Sequence, residues 1–355
     1  MFGTTNKRKQ GITCIIEKGE LYLITAGIST TIFIVSALIS AFCAVRLSTY
    51  ANLISQHTKI GGLVAGTMLL AAATSLPELT ATVSAGIIGN ADIAVGNGLG
   101  SIIFNIFFLF LLDVHFRHHR LFLNVSDHHL YTGVIGLLLC AITSGGMILH
   151  LPLSLFWISL ISILVAMVYA AGMWYISQKQ SVTSVPSTTS SGVETIHVPR
   201  TIQKFIFFAA VIFVSGSMLS ISGDSMAGTT GISATAVGSI LVATATSIPD
   251  AVSVYVALRL ANVNLAVGTI LGSNAFNVLM TAIGDLFYTN GSIWKNTSDQ
   301  TIIIAVAGFV LTGIVMAIIK RDHTRNTLTY VVPSLIIVAS YIVVITSILF
   351  YSESS

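Results

Sequence analysis

Apolar runs long enough to cross hydrocarbon as helices, about 20 residues each, follow one another along this chain with short polar interruptions. The pattern predicts ten helices, at about 21–45, 60–87, 92–112, 130–148, 152–176, 204–223, 231–258, 263–285, 301–319 and 328–350. The widest interruption, 177–203, is rich in Ser, Thr and Pro, reads as a flexible linker and divides five helices from five.

A repeat runs through the apolar pattern. Residues 66–105 align with 238–277 at a constant offset of 172, and seventeen of the forty positions are identical. Each copy carries an acid inside a membrane-length segment, Glu78 in the first and Asp250 in the second. Around them stand Thr74-Ser75-Leu76-Pro77 and Thr246-Ser247-Ile248-Pro249. Proline lacks a backbone donor and clashes with the preceding turn, so a helix is expected to kink or break at Pro77 and Pro249. Carbonyls freed at such a depth need a partner from the protein or from a polar cavity.

Composition fixes the environment of these helices. The chain is 54% hydrophobic and 8% charged, with a mean hydropathy of +0.90, whereas soluble domains are about a quarter charged. Three cysteines exclude a disulfide framework, and the net charge of +3 gives no reason to expect nucleic acid as a partner. Eleven Lys and Arg residues, among them Arg117, Arg120, Lys179 and Arg200, fall on the side of the linker. The positive-inside rule therefore puts the linker in the cytoplasm and both termini outside. Five helices per half is an odd number, so the second half enters the membrane turned over. The expected fold is an all-α polytopic membrane protein of two inverted five-helix repeats: tail 1–20, first repeat 21–176, cytoplasmic linker 177–203, second repeat 204–350, tail 351–355.

A carboxylate at the depth of Glu78 or Asp250 is expensive unless paired or functional. Two of them, at equivalent places in inverted halves, can converge on one divalent cation. Thr74 precedes Glu78 by four residues and Thr246 precedes Asp250 by four, a spacing that shares a helix face. The next helix of each half supplies Ser101 and Asn105, then Ser273 and Asn277. Carboxylate, hydroxyl, amide and backbone oxygens suit a hard cation, and without thiol or imidazole the set does not suit a soft one. For the four residues on the later helices, helix–helix hydrogen bonding alone is the competing role, and ligation the favoured one. For Ser75 and Ser247 packing competes with ligation, and Thr74 and Thr246 can offer either hydroxyl or carbonyl. A histidine-rich stretch with His115, His118, His119, His128 and His129 could bind a transition metal or sense pH, but reads more plainly as a solvated loop near lipid headgroups. Asp92 suits a helix start, while Asp113, Asp224 and Asp285 lie near expected helix ends, facing water or an entrance.

With Gly100-Ser101-Ile102-Ile103-Phe104-Asn105 and Gly272-Ser273-Asn274-Ala275-Phe276-Asn277 added to the two proline-containing cores, the chain resembles the sodium/calcium exchanger family of the cation/calcium antiporter superfamily. The resemblance implies exchange of Na⁺ against Ca²⁺ by alternating access. It assigns the ions to Glu78 and Asp250 with Thr74, Ser75, Thr246, Ser247, Ser101, Asn105, Ser273 and Asn277. Three departures bear on ion choice: Asn277 replaces a frequent aspartate, Asp250 a usual glutamate, and Ile102 a common asparagine. Two carboxylates neutralise one Ca²⁺ or two Na⁺. The alternatives are a proton-coupled divalent cation antiporter and a Na⁺-selective exchanger of the same fold. Paired acids also suit acid/base catalysis, but no His, Cys or Lys joins them in the repeated cores, so an enzyme is not expected. Ca²⁺ and Na⁺ are then transported ions, with no cofactor. Membrane lipid is the surrounding partner, a monomer the working unit and the plasma membrane the location.

Overall fold

The computed structural model describes residues 4–57, 72–116, 121–150, 154–155, 157–180, 198–260, 262–321 and 327–353. Among them run ten helices: α1 Thr4–His57, α2 Leu76–Ile87, α3 Ala91–His115, α4 His128–Ile148, α5 Leu160–Gln180, α6 Val198–Thr230, α7 Ala234–Arg259, α8 Val263–Phe287, α9 Asp299–Ile319 and α10 Thr327–Glu353. Nine of these, all but α2, are long and apolar enough to cross a membrane. The first part of the expected second helix, 60–71, lies outside the described residues, as do His118, His119 and linker residues 181–197.

Helix ends differ from the sequence pattern where hydropathy carries no signal. Helix α1 starts at Thr4, inside the expected tail, and α6 starts at Val198, inside the expected linker. A helix keeps its hydrogen bonds as it leaves an apolar stretch, so the apolar boundary does not mark its end. The expected fifth helix loses its start to a short antiparallel pair, Ser154–Leu155 with Ile158–Ser159. His115, His128 and His129 are helical rather than part of a loop, and His129 packs against Gly268 of α8.

The core is built from α3 and α8. Within their membrane-length windows 78% and 67% of residues are buried, against 17% for α5 and α10. Side-chain amides cap both core helices in the same way. Asn90 accepts the Ile93 N–H at 2.9 Å and Asn262 accepts the Leu265 N–H at 3.1 Å. Such a cap satisfies one donor of a helix start that has no intrahelical partner. Helix α1 lies along α6, where the Ser29 and Ser225 hydroxyls meet at 2.7 Å.

Hydrogen bonds extend the offset of 172 far beyond the forty-residue repeat, and most of them cross between the halves. Asp92, on the first turn of α3, accepts from Ser298 N–H, Ser298 Oγ and Thr301 Oγ1 at 2.8–2.9 Å, and so caps α9. Its counterpart Asn264, on α8, accepts the Ser126 N–H at 2.7 Å just before α4. At the other end of α3, Asp113 accepts from Ser334 Oγ of α10 at 2.6 Å and from the Tyr330 hydroxyl. Asp285, its counterpart on α8, accepts from Ser162 Oγ of α5 at 2.7 Å, with the Ser159 and Ile293 N–H groups adding further bonds. Asp113 and Asp285 are thus buried, satisfied anchors, which corrects the expectation that they face water or an entrance. Asp224 is exposed and takes a 2.6 Å bond from the Asn90 amide.

Candidate functional site

The two acids sit on helices that achieve irregularity differently. In the first half, Ala72–Thr74 is helical, Ser75 turns, and α2 begins at Leu76 with Pro77 in its first turn, where a missing N–H costs nothing. Thr74 and Glu78 therefore do not share one uninterrupted helix, contrary to the spacing argument. In the second half Pro249 lies inside a helical segment that continues from Ala243 to Arg259, so the expected break at Pro249 does not occur. The irregularity lies upstream, where Val237–Val242 widens into π-helical bonding and the Ala243 N–H reaches back to the Gly238 carbonyl. One lost bond, that from Pro249 to the Ala245 carbonyl, is tolerated because packing holds the helix on both sides. The widened turn rests on α3. A Cβ on Gly100 would lie 2.3 Å from the Ser239 carbonyl oxygen, so only glycine permits this approach.

All ten sequence-predicted site residues are buried, from fully enclosed Asp250, Ser101, Thr246, Ser247 and Asn277 to 9% exposed Ser273. The two halves hold each other's acids. Ser247 of α7 donates to Glu78 Oε1 at 3.3 Å. Asp250 Oδ2 accepts a short bond from Ser273, and Thr74 and Asn105 of the first half also turn toward Asp250. Asn105 donates through Nδ2 to Asn274 Oδ1 at 3.1 Å, which joins α3 to α8.

Each acid keeps one oxygen unengaged. Glu78 Oε2 and Asp250 Oδ1 have no hydrogen-bond partner among the described residues, and neither do Ser101 Oγ, Asn105 Oδ1 and Asn277 Oδ1. Of the nine such buried atoms among the described residues, seven belong to this centre, namely these five oxygens and the amide nitrogens of Asn274 and Asn277; the remaining two are Ser40 Oγ and Ser292 Oγ. Leaving a buried polar atom unsatisfied costs about 1–3 kcal/mol, so native proteins rarely concentrate them. The five oxygens come from two carboxylates, two amides and one hydroxyl, the donor types that hard cations take. Among the described residues no group of three or more His, Cys, Asp or Glu side chains is arranged to hold a metal. The formal charge available here is that of two carboxylates.

Two side chains at this centre escaped the sequence reading. Asn274 stands in the second glycine-serine motif, but its bond to Asn105 follows only from the packing of α3 on α8. Asn97 was not singled out because its partner at the offset of 172 is Thr269, and a search for identical pairs passes over it. It was recoverable: Asn97, Ser101 and Asn105 follow at steps of four on one face of α3.

Comparison with known proteins gives a consistent picture. The family model described as sodium/calcium exchanger protein matches residues 28–184 and 201–350. The inner membrane protein YrbG of Escherichia coli (strain K12) is 26% identical over 281 residues, covering 75% of this chain and 82% of that protein. Among solved structures, the sodium-calcium exchanger NCX_Mj superposes with a TM-score of 0.58 at 16% identity, covering 91% of this chain and 99% of the other. The H⁺/Ca²⁺ exchanger CAX superposes with a TM-score of 0.60 at 13% identity, covering 98% and 95%. At these identities the superpositions show a shared fold.

Proposed function

The chain belongs to the sodium/calcium exchanger protein family, and we propose that it exchanges Na⁺ for Ca²⁺ by alternating access, with the ions held between Glu78 and Asp250. It is an integral membrane antiporter of cations, not an enzyme. The observation that carries the finer reading is the set of five buried oxygens without partners, contributed by both halves around two acids.

The geometry suits competition between ions at one place. Ser247 steadies one oxygen of Glu78 and Ser273 one oxygen of Asp250, leaving the second oxygen of each for a cation. The amide oxygens of Asn105 and Asn277 and the Ser101 hydroxyl complete a hard-oxygen shell, with Thr74, Ser75 and Thr246 at its edges. Moving an uncompensated charge out of water costs several kcal/mol, so two carboxylates favour loading with one Ca²⁺ or with two Na⁺. Either load is near neutral, and one excludes the other, which is the elementary condition for exchange. Pro249, inside its helix, withholds the usual α-helical donor from the Ala245 carbonyl, which adds a polar group one turn from Asp250.

A proton-coupled divalent cation antiporter is the second reading, and the likeness to the H⁺/Ca²⁺ exchanger CAX favours it. A proton can supply the positive charge that Na⁺ would otherwise bring between turnovers. Uptake of radioactive Ca²⁺ into proteoliposomes of purified protein separates the two. Na⁺-loaded vesicles diluted into Na⁺-free buffer should accumulate Ca²⁺, and an imposed pH gradient without Na⁺ should not drive uptake. Uptake driven by the pH gradient alone would overturn Na⁺ coupling in favour of the proton. The charge pattern of the loops supports a plasma-membrane orientation with a cytoplasmic linker and both termini outside.

A further inference from the structure

Four buried amides stand near the two acids, and one of them differs from the rest. Asn105, Asn274 and Asn277 each have at least one side-chain atom without a partner. Asn97, fully buried, is satisfied at both ends. Its Nδ2 donates to the Glu78 carbonyl at 3.1 Å and to Thr82 Oγ1 at 2.9 Å. Its Oδ1 accepts from Thr246 Oγ1 at 3.1 Å. From α3, one side chain therefore holds the main chain of Glu78 on α2 and the side chain of Thr246 on α7. Because Thr246 and Ser247 are adjacent, this bridge also fixes the segment whose Ser247 donates to Glu78 Oε1.

The seat of Asn97 is rigid. A Cβ on neighbouring Gly98 would lie 2.0 Å from Thr281 Oγ1 and 3.0 Å from the Asn277 carbonyl oxygen, so α3 is pressed against α8 at this level. Gly100 presses it against α7 in the same way. Among the described residues the matching positions of the opposite half form no equivalent. Thr269, the counterpart of Asn97, returns its hydroxyl to the Leu265 carbonyl of its own helix at 2.8 Å, and the counterpart of Thr82 is Val254.

We infer that Asn97 is a positioning residue for cation binding: it clamps the Glu78 main chain to Thr246 of the opposite half and sets the Glu78 side of the site without offering the ion an open oxygen. The inference rests on the ion site proposed above. A cage of oxygens binds Ca²⁺ at roughly 2.3–2.6 Å, so a carboxylate whose helix can drift binds less well even when every ligand is present. The Asp250 side lacks this clamp, so the effect belongs to the first half alone.

The test is equilibrium binding of radioactive Ca²⁺ to purified full-length protein, together with the shift of Tm that Ca²⁺ produces. Asn97→Ala should weaken Ca²⁺ binding about tenfold, equivalent to about 1.4 kcal/mol, and shrink the Ca²⁺-induced Tm shift. Thr269→Ala should bind as the wild type does. Thr82→Val keeps the shape of the side chain and removes one of the partners of Asn97, so it should weaken binding by about threefold, and it decides the matter if Asn97→Ala does not fold. A purely structural role would lower Tm equally with and without Ca²⁺ while leaving affinity unchanged; that result would overturn the inference, as would wild-type affinity in Thr82→Val when Asn97→Ala fails to fold. Absence of Ca²⁺ binding by the wild type would overturn the functional reading itself.

Discussion

The surroundings of Glu78 and Asp250 start from one duplicated sequence and end as different structures. Glu78 follows a turn at Ser75 and opens a short helix, whereas Asp250 lies within a continuous helix whose irregularity is displaced upstream to Val237–Val242. Beyond Glu78 come Thr80, Thr82 and Ser84; beyond Asp250 the matching positions are Val252, Val254 and Val256. The polar side meets further polar groups on α6, with Ser84 donating to Ser217 at 2.7 Å and Ser220 donating to the Ala81 carbonyl at 2.6 Å. The chemistry facing the centre is thus nearly duplicated, while the paths leading away from it are not. An ion held as proposed above would constrain the oxygens that surround it; the flanking helices only have to pack, and packing accepts hydroxyls on one side and valines on the other.

The largest expected effect tests whether the centre is as symmetric as its oxygens suggest. Glu78→Gln and Asp250→Asn each remove half of the compensating charge, and each should reduce Ca²⁺ transport by about a hundredfold or more, in line with the several kcal/mol cost of an uncompensated buried ion. Initial uptake at subsaturating Ca²⁺ measures this. Near-normal uptake by one of the two would show that a single half carries the ion.

Next in size is the consequence of carboxylate number. Asn277→Asp adds a third carboxylate where the buried Asn277 amide has no partner. With two carboxylates, exchange of two Na⁺ for one Ca²⁺ moves no net charge, so wild-type flux should respond little to an imposed membrane potential. The variant should admit a further Na⁺ and become potential-sensitive, since about 2.3 kcal/mol acts on each elementary charge per 100 mV. Equal voltage responses would place residue 277 outside the ion's reach.

A smaller effect is expected away from the centre, where the halves match again. Asp285→Asn weakens a buried carboxylate that accepts from Ser159, Ser162 and Ile293 and should cost about 3 kcal/mol of stability. Asp113→Asn should cost less, because two hydroxyls rather than three donors engage it. Thermal unfolding gives the order, and Ca²⁺ affinity of the folded fraction should be retained in both. Least of all should follow from replacing His115, His118, His119 and His128 together, with His129 kept because it packs against Gly268 of α8; the exchange rate per folded molecule should persist.

The sequence made the helices legible because a membrane span is a one-dimensional feature, an apolar run between polar ends. Helix α9, expected at 301–319, runs Asp299–Ile319, and α8, expected from 263 to 285, runs Val263–Phe287. Helix α1 escaped at its start because continuation into polar sequence leaves no mark in hydropathy. Pro249 misled because proline removes one hydrogen bond, and whether that ends a helix depends on neighbours that sequence does not display. The ten predicted site residues came from identity or near-identity between the copies, a filter that finds what the centre shares and is blind to what one half does alone. Asn97 lies in that blind area, as does the hydroxyl series after Glu78.

The bonds that cross between halves have a bearing on how the chain is made. The amide before α4 is capped by Asn264, and Asp113 waits for Tyr330 and Ser334, residues synthesised more than a hundred positions later. The first five helices therefore leave the ribosome with polar ends that only the last helices can satisfy. The expected course of maturation is a late closure of the two halves on each other rather than the stacking of one finished half on another. Truncation before α8 should leave an intermediate held by quality control, and two halves made as separate polypeptides should each depend on the other for survival.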